Sequence, residues 1–213
     1  NNGLGKNNGT VLVFDLGGGT FDASILQLVG AEEERFFRVL STKGDTQLGG
    51  DDLDAIVMDH VTGLVSERFG AMTFPPAARQ ALRLFSESAR IRLSQEASAT
   101  IELDLGEGRV FRETLTRTWF EAQAAPVIER AVQCAKEAIR DAGLELSAID
   151  RVVMVGGTTR TPLVRQAVAE AFACEPYFAL DPDRVVALGA AVQAAILAGT
   201  NPGMLLLDVI PLS

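Results

Sequence analysis

Apolar and polar positions along this chain follow two periods. Near the start, three runs of β-branched, aliphatic and aromatic residues at 11–16, 23–28 and 36–42 predict strands, the last two joined by an acidic turn at 30–34. A polar, Gly/Asn-rich lead-in at 1–9 precedes them. Past Leu48-Gly49-Gly50 the spacing becomes helical, with Leu53, Ile56, Val57, Val61 and Leu64 on one stripe and acids in the first turn, so a helix to about Phe69 is predicted. Pro75-Pro76 opens a second helix to about Ser94. Alternation returns at 99–105 and 109–115 around Gly106-Glu107-Gly108, a hairpin. Thr118 is expected to cap a long helix over 119–142 that Gly143 ends. Residues 151–155 predict a buried strand, and Gly156-Gly157 leads into a helix with Pro162 near its start. A strand or loop at 177–180 precedes Asp181-Pro182-Asp183, an apolar helix to Gly199, a turn at Pro202-Gly203 and a tail over 204–213.

Three strands, helices, a hairpin with a helix, then strand-helix-helix describe an α/β fold with a mixed sheet. A chain of 213 residues can bury a real core, as one large domain or two small subdomains. The hairpin flanked by helices is expected to sit on a small separate subdomain. Net charge is −9, which argues against a sequence-independent grip on nucleic acid or on an anionic membrane surface. The longest apolar run, 185–199, is broken by Gln193 and is too short to span a bilayer; its lack of a polar face predicts a helix buried on most sides. Cys134 and Cys174 lack metal or redox spacing and read as free thiols in a reducing compartment. The single histidine, His60, lies within an amphipathic helix, which sets aside a Ser-His hydrolase or a His-ligated metal enzyme. The chain opens at Asn1-Asn2 and reads as a piece of a longer protein.

The densest candidate chemistry is Asp15-Leu16-Gly17-Gly18-Gly19-Thr20-Phe21-Asp22. Three glycines between two strands permit a sharp turn and close approach of another group, with bare N–H groups for phosphate oxygens and carboxylates for the water shell of Mg²⁺. No lysine follows the glycines, so this is not a Walker loop, and the following element is a strand, so it is not a Rossmann turn. A phosphate-binding β-hairpin and a plain glycine-rich tip with solvated aspartates both remain. Gly156-Gly157-Thr158-Thr159-Arg160 is a bare strand-to-helix turn that a flat ring or a phosphate could approach, with Arg160 as a planar cation able to stack on a base; a tight turn with a surface arginine fits equally. Glu87, Arg90 and Ser94 fall on one stripe of the second helix and could meet ribose or purine edges, or form an exposed ion pair. Leu205-Leu206-Leu207 is an ordinary last strand or a segment that docks in one state and is free in another.

Together these motifs resemble the nucleotide-binding domain of the DnaK-type 70-kDa heat-shock chaperones, in the actin and sugar-kinase superfold. The resemblance runs from Val11 through nearly the whole chain and includes Gly44-Asp45-Thr46-Gln47-Leu48-Gly49-Gly50-Asp51-Asp52-Leu53-Asp54, Gly189-Ala190-Ala191-Val192-Gln193 and Leu205-Leu206-Leu207-Asp208-Val209-Ile210-Pro211-Leu212-Ser213. It implies that Gly17, Gly18, Gly19 and Thr20 hold the β- and γ-phosphates of ATP or ADP, with Thr20 close to the γ-phosphate. Asp15 and Asp22 act through the Mg²⁺ water shell or orient the attacking water. Gly49 and Gly50 approach the nucleotide, Glu87, Arg90 and Ser94 surround the adenosine, and Gly156, Gly157, Thr158, Arg160 and Asp183 complete its pocket. Leu205, Leu206, Leu207 and Asp208 belong to the interdomain linker.

On this resemblance the chain is the second lobe of the domain, with 1–48 and 117–200 as its large subdomain, 49–116 as its small one and 201–213 as linker. The expected partners are a J-domain co-chaperone, an unfolded or scaffold-protein client bound through a separate substrate-binding domain, and a nucleotide exchange factor; the expected location is the cytoplasm. Without the first lobe the fragment alone is expected to be inactive. Arg90 stands where the family usually has lysine, and Thr158 where serine is frequent. A short 99–115 hairpin and Ile210 in the linker lean toward the HscA branch, which serves iron–sulfur cluster assembly. Gln27, Val29 and Arg38 replace acids that serve J-domain docking in DnaK proteins. The competing readings are a metabolite kinase of the same superfold, lacking an apolar linker, and an actin-like filament protein that polymerises with nucleotide.

Overall fold

A computed structural model describes residues 9–31, 34–177, 185–198 and 204–207. Strands β1 (Gly9–Leu16), β2 (Phe21–Ala31) and β3 (Glu34–Asp45) form an antiparallel meander. β1 is flanked on its other side by the parallel strand β4 (Arg151–Val155), and β3 by the parallel strand β5 (Met204–Leu207). The result is a five-stranded mixed sheet in the order β4-β1-β2-β3-β5. Beyond β4, Tyr177 adds a single bridge, its N–H donating to Val152 O at 2.8 Å and its carbonyl accepting from Met154 N at 3.2 Å. This fulfils the expectation of an α/β fold with a mixed sheet.

Burial follows the strand period. Leu12, Phe14 and Leu16 of β1 and Phe21, Ala23 and Ile25 of β2 point into one core. The alternation on β2 breaks where its register with β3 slips between Ile25 and Leu26, and resumes at Leu28. β3 is longer than the predicted 36–42 because both its edges find partners, β2 along its length and β5 at Arg35–Arg38.

Helix α1 (Gly50–Phe69) buries Leu53, Val57, Val61 and Val65, a four-residue spacing that makes one face. Helix α2 (Pro76–Leu93) begins at the predicted proline pair and buries Ala78, Leu82, Ala89 and Leu93. A two-stranded sheet, β6 (Ser98–Asp104) with β7 (Val110–Thr116), turns through Gly106, Glu107 and Gly108, all at positive φ. Its inner face, Ala99, Ile101, Leu103, Phe111 and Leu115, joins the same buried cluster as the larger sheet.

The long helix α3 (Arg117–Asp141) starts two residues earlier than predicted. Its cap is Thr116, whose hydroxyl accepts from Trp119 N at 3.2 Å, and Thr118 lies inside the first turn. The far end closes as expected: Leu144 N donates to Ile139 O, Gly143 N to Arg140 O, and Gly143 takes φ 70°. His60 stacks on Trp119 with ring centroids 4.2 Å apart, tying α1 to α3, so its role here is packing. A single 3₁₀ turn (Gly157–Arg160) separates β4 from helix α4 (Pro162–Phe172).

The last helix, α5 (Val185–Leu197), departs from expectation. Leu188, Val192 and Leu197 are 51%, 42% and 80% exposed, and no described residue of α5 joins the core. Its composition is that of a buried helix, but burial needs a facing element, which composition alone does not supply. Asp181-Pro182-Asp183 and the tail beyond Leu207 lie outside the described residues. Among the described residues no helix is long and apolar enough to cross a membrane.

Two local substitutions should each stabilise the fold. Gly63 is exposed inside α1 with nothing within 4 Å of a built Cβ, so Gly63→Ala should gain about 0.5–1 kcal/mol. Ala173 ends α4 at φ 50°, where a Cβ crowds the following carbonyl, so Ala173→Gly should gain about 1 kcal/mol. Urea unfolding of each variant measures the gains.

Candidate functional site

Asp15 to Asp22 form a hairpin whose turn, 17–20, closes with Gly17 N donating to Thr20 O at 2.9 Å. What holds it is the start of α1. Gly50 N donates to Gly17 O at 3.0 Å and Asp51 N to Gly18 O at 2.6 Å, so two orphan donors of the helix N-terminus are spent on the hairpin's carbonyls. The helix start is further set by Asp52, whose carboxylate accepts from Gly49 N at 2.8 Å. From the other side Thr158 donates its hydroxyl to Gly17 O at 2.8 Å, fastening the 3₁₀ turn to the same loop.

The glycines divide into two kinds. A Cβ on Gly49 would lie 2.5 Å from Gly18 O and 2.8 Å from Gly19 N, and one on Gly50 would lie 2.7 Å from Thr158 Oγ1. On Gly156, at φ 85°, a Cβ would collide with Leu16 O and lie 2.8 Å from Asp15 Oδ1. These three are glycines because the protein packs against them. Gly18 has open space around it. Gly18, Gly19 and Thr20 are exposed, and among the described residues no hydrogen bond takes up their backbone N–H groups.

Asp15 and Asp22 face one another directly across the β1–β2 pair. Burial pushes the Asp15 carboxyl above the ordinary carboxylate range and the Asp22 charge adds to the push; burial also raises Asp22. Asp22 has further room because its β3 partner is Gly44, where a Cβ would lie 2.5 Å from Asp22 Oδ1. Asp51 Oδ2 also borders the turn, 3.5 Å from the Cβ position of Gly19.

Arg90 of α2 reaches this cluster through Asp54 of α1. Its Nε donates to Asp54 Oδ1 at 2.6 Å and its Nη2 to Asp54 Oδ2 at 3.3 Å, a two-point pair that is about nine-tenths buried. The guanidinium lies 3.4–3.5 Å from the Cβ position of Gly50. Asp15, Gly17, Gly18, Gly19, Gly49, Gly50, Arg90, Gly156 and Thr158 are thus drawn into one contiguous constellation. Ser94 ends α2 with its hydroxyl on Arg90 O at 3.1 Å, and Glu87, Gly157 and Arg160 are exposed on the flanking elements. Asp183 and Asp208 lie outside the described residues.

Sequence reasoning gave no role to Asp54, Asp52 or Gly44. Asp51, Asp52 and Asp54 read alike as acids that complement a helix dipole, and nothing local marks which of them meets an arginine 36 residues away. Gly44 carried a signal, a glycine inside a strand, which often marks close approach of another group.

The family model for "Hsp70 protein" matches residues 2–213. "Chaperone protein HscA homolog" of Bordetella pertussis is 48% identical over 208 residues, covering 96% of this chain and 32% of the relative. Proteins of the same description from Bordetella petrii and Pseudomonas aeruginosa (strain UCBPP-PA14) are 48% and 45% identical over the same share. The chain spans about a third of the length of these curated relatives.

Two predictions separate the roles of these residues. Gly49→Ala should cost on the order of 1–3 kcal/mol in chemical unfolding, because the atoms it meets are backbone, whereas Gly18→Ala should leave folding stability unchanged. Asp15 is harder to ionise folded than unfolded, so it takes stability away as pH rises through the interval between about 4 and its raised value. In metal-free buffer Asp15→Asn should therefore melt higher than the parent at pH 7, with the advantage gone below about pH 4.

Proposed function

The chain belongs to the Hsp70 family, and on that premise we propose that it is the ATP-binding second lobe of a chaperone ATPase. Family membership sets the metabolite-kinase and filament readings aside. The observation that carries the proposal is the glycine hairpin: clamped from behind by α1 and Thr158, it leaves the exposed N–H groups of Gly18, Gly19 and Thr20 without a hydrogen bond among the described residues, beside two opposed carboxylates.

The residues fit a magnesium nucleotide. Outward N–H groups in a turn suit phosphate oxygens. Among the described residues no cluster of three or more His, Cys, Asp or Glu could hold a metal unaided. Two carboxylates whose ionised forms are disfavoured fit Mg²⁺, which keeps much of its water and takes one or two carboxylates plus phosphate. When bound, Mg²⁺ would supply positive charge that offsets part of the negative charge of the phosphates and of the two aspartates. Gly18, Gly19 and Thr20 would then hold the phosphates, Gly17, whose N–H is spent on Thr20 O, would shape the turn beneath them, and Asp15 and Asp22 would hold the metal's water. Glu87, Arg90, Ser94, Gly156, Gly157, Thr158, Arg160 and Asp183 frame the adenosine.

Residues 1–48 and 117–200 form the large subdomain of the lobe and 49–116 the small one. Residues 201–213 are the linker to a client-binding domain, and the pairing of Met204–Leu207 with β3 supports a linker that can dock as a strand. The whole protein hydrolyses ATP to ADP and phosphate, works with a J-domain co-chaperone and an exchange factor in the cytoplasm, and takes an unfolded protein or an iron–sulfur scaffold as client. The HscA relatives support the last choice. Phosphoryl transfer needs charge on both sides of the phosphate, so this lobe alone binds nucleotide without turning it over.

Calorimetric titration of ADP and ATP with Mg²⁺ tests the reading. Binding is expected, with Arg160→Ala weakening it about tenfold through loss of a stacked cation. Absence of binding to the full-length protein would sink the proposal, and unchanged binding by Arg160→Ala would remove that residue from the pocket.

A further inference from the structure

We propose that Asp54 is a positioning residue for the nucleoside subsite: it fixes the Arg90 guanidinium against Gly50 and thereby sets α2 relative to the phosphate-gripping hairpin. This rests on the nucleotide-binding reading above. Asp54 sits one turn into α1, whose first N–H groups are bound to Gly17 and Gly18. Its two oxygens take Nε and Nη2 of Arg90, and both side chains are only 11–12% exposed. Hairpin, helix start, carboxylate, guanidinium and α2 therefore form one chain of contacts.

The energetics favour a positioning role over a stabilising one. Burial pushes the Asp54 carboxyl up, and the charges of Glu87 and Asp51 push the same way, against the opposing pull of Arg90. Desolvation of a buried ion pair commonly cancels its attraction, so such a pair adds little net stability. Direction is what it supplies. A fork held at two points cannot swing toward solvent, and two of its five N–H donors are used on Asp54, which leaves the rest for a ligand. An ammonium in this place would lack the planar fork and would not be fixed in orientation by the same two-point contact.

The test compares ADP with inorganic tripolyphosphate as calorimetric probes of the full-length protein, each with Mg²⁺. Asp54→Asn should weaken ADP about tenfold and leave tripolyphosphate within about twofold. Arg90→Met should lose a similar factor, and adding Asp54→Asn to it should cost nothing further, because Asp54 acts through Arg90. Should Asp54→Asn fold poorly, the apolar pair Asp54→Leu with Arg90→Met should melt at or above the parent and show the same selective loss of ADP. Equal losses for both probes, an unchanged ADP affinity, or additive losses in the double variant would overturn the positioning role. A parent protein that binds neither probe overturns the nucleotide-binding reading itself, and the two failures are distinguished by that control.

Discussion

The site is organised by the two hydrogen bonds from Gly50 N and Asp51 N to Gly17 O and Gly18 O. A helix N-terminus ordinarily offers its orphan donors to an anion or to a capping side chain. Here Gly49 has no capping side chain, and the donors meet carbonyls of the hairpin instead. The consequence is directional. With the carbonyls of Gly17 and Gly18 turned inward to α1, the N–H groups of Gly18 and Gly19, trans across the same peptide planes, face the other way.

Close approach at this junction explains the glycine pattern. The family resemblance implies that Gly49-Gly50 approaches the nucleotide. The atoms that fill the space are Gly18, Gly19, Thr158 and Arg90. Gly156 likewise yields to Leu16 and Asp15, and Gly44 to Asp22. Side chains at these places would push the hairpin away from its supports. Only in the turn itself, at Gly18, does the missing Cβ leave space open. Close packing against neighbouring atoms and open space thus divide these glycines between them, and residue type alone cannot tell which is which.

Local patterns carried most of the fold. The β1–β2–β3 meander, the start of α2 at its prolines, the Gly106–Gly108 turn and the closing of α3 at Gly143 all arise from interactions within a few residues, which is why they can be read along the chain. The α3 start was misplaced by two residues because Thr116 and Thr118 have the same chemistry, and the end of β7 decides between them. Two features needed the third dimension. The exposure of α5 depends on whether an element faces it, and the pairing of Met204–Leu207 with Arg35–Arg38 joins residues far apart in sequence. At the site, the hairpin and the Gly156–Thr158 turn were legible as motifs, while Asp54 was hidden among three neighbouring acids of which only it meets Arg90.

The same geometry loads the hairpin electrostatically. An antiparallel register that places Asp15 opposite Asp22 sets like charges on neighbouring strands, an arrangement that costs stability wherever both are ionised. Burial makes it worse, since Asp15 is partly desolvated near the end of β1. Nothing in the packing requires acids here: Leu16 and Phe21, the next pair in the ladder, are fully apolar and buried. Near the pair, the ion pairs formed by Lys43, Arg90 and Arg130 engage other acids, Glu137, Asp54 and Asp45. The like-charged pair therefore costs stability that the hydrophobic core must offset, and that cost would fall if a bound cation screened the two carboxylates, which is what the proposed magnesium nucleotide would supply.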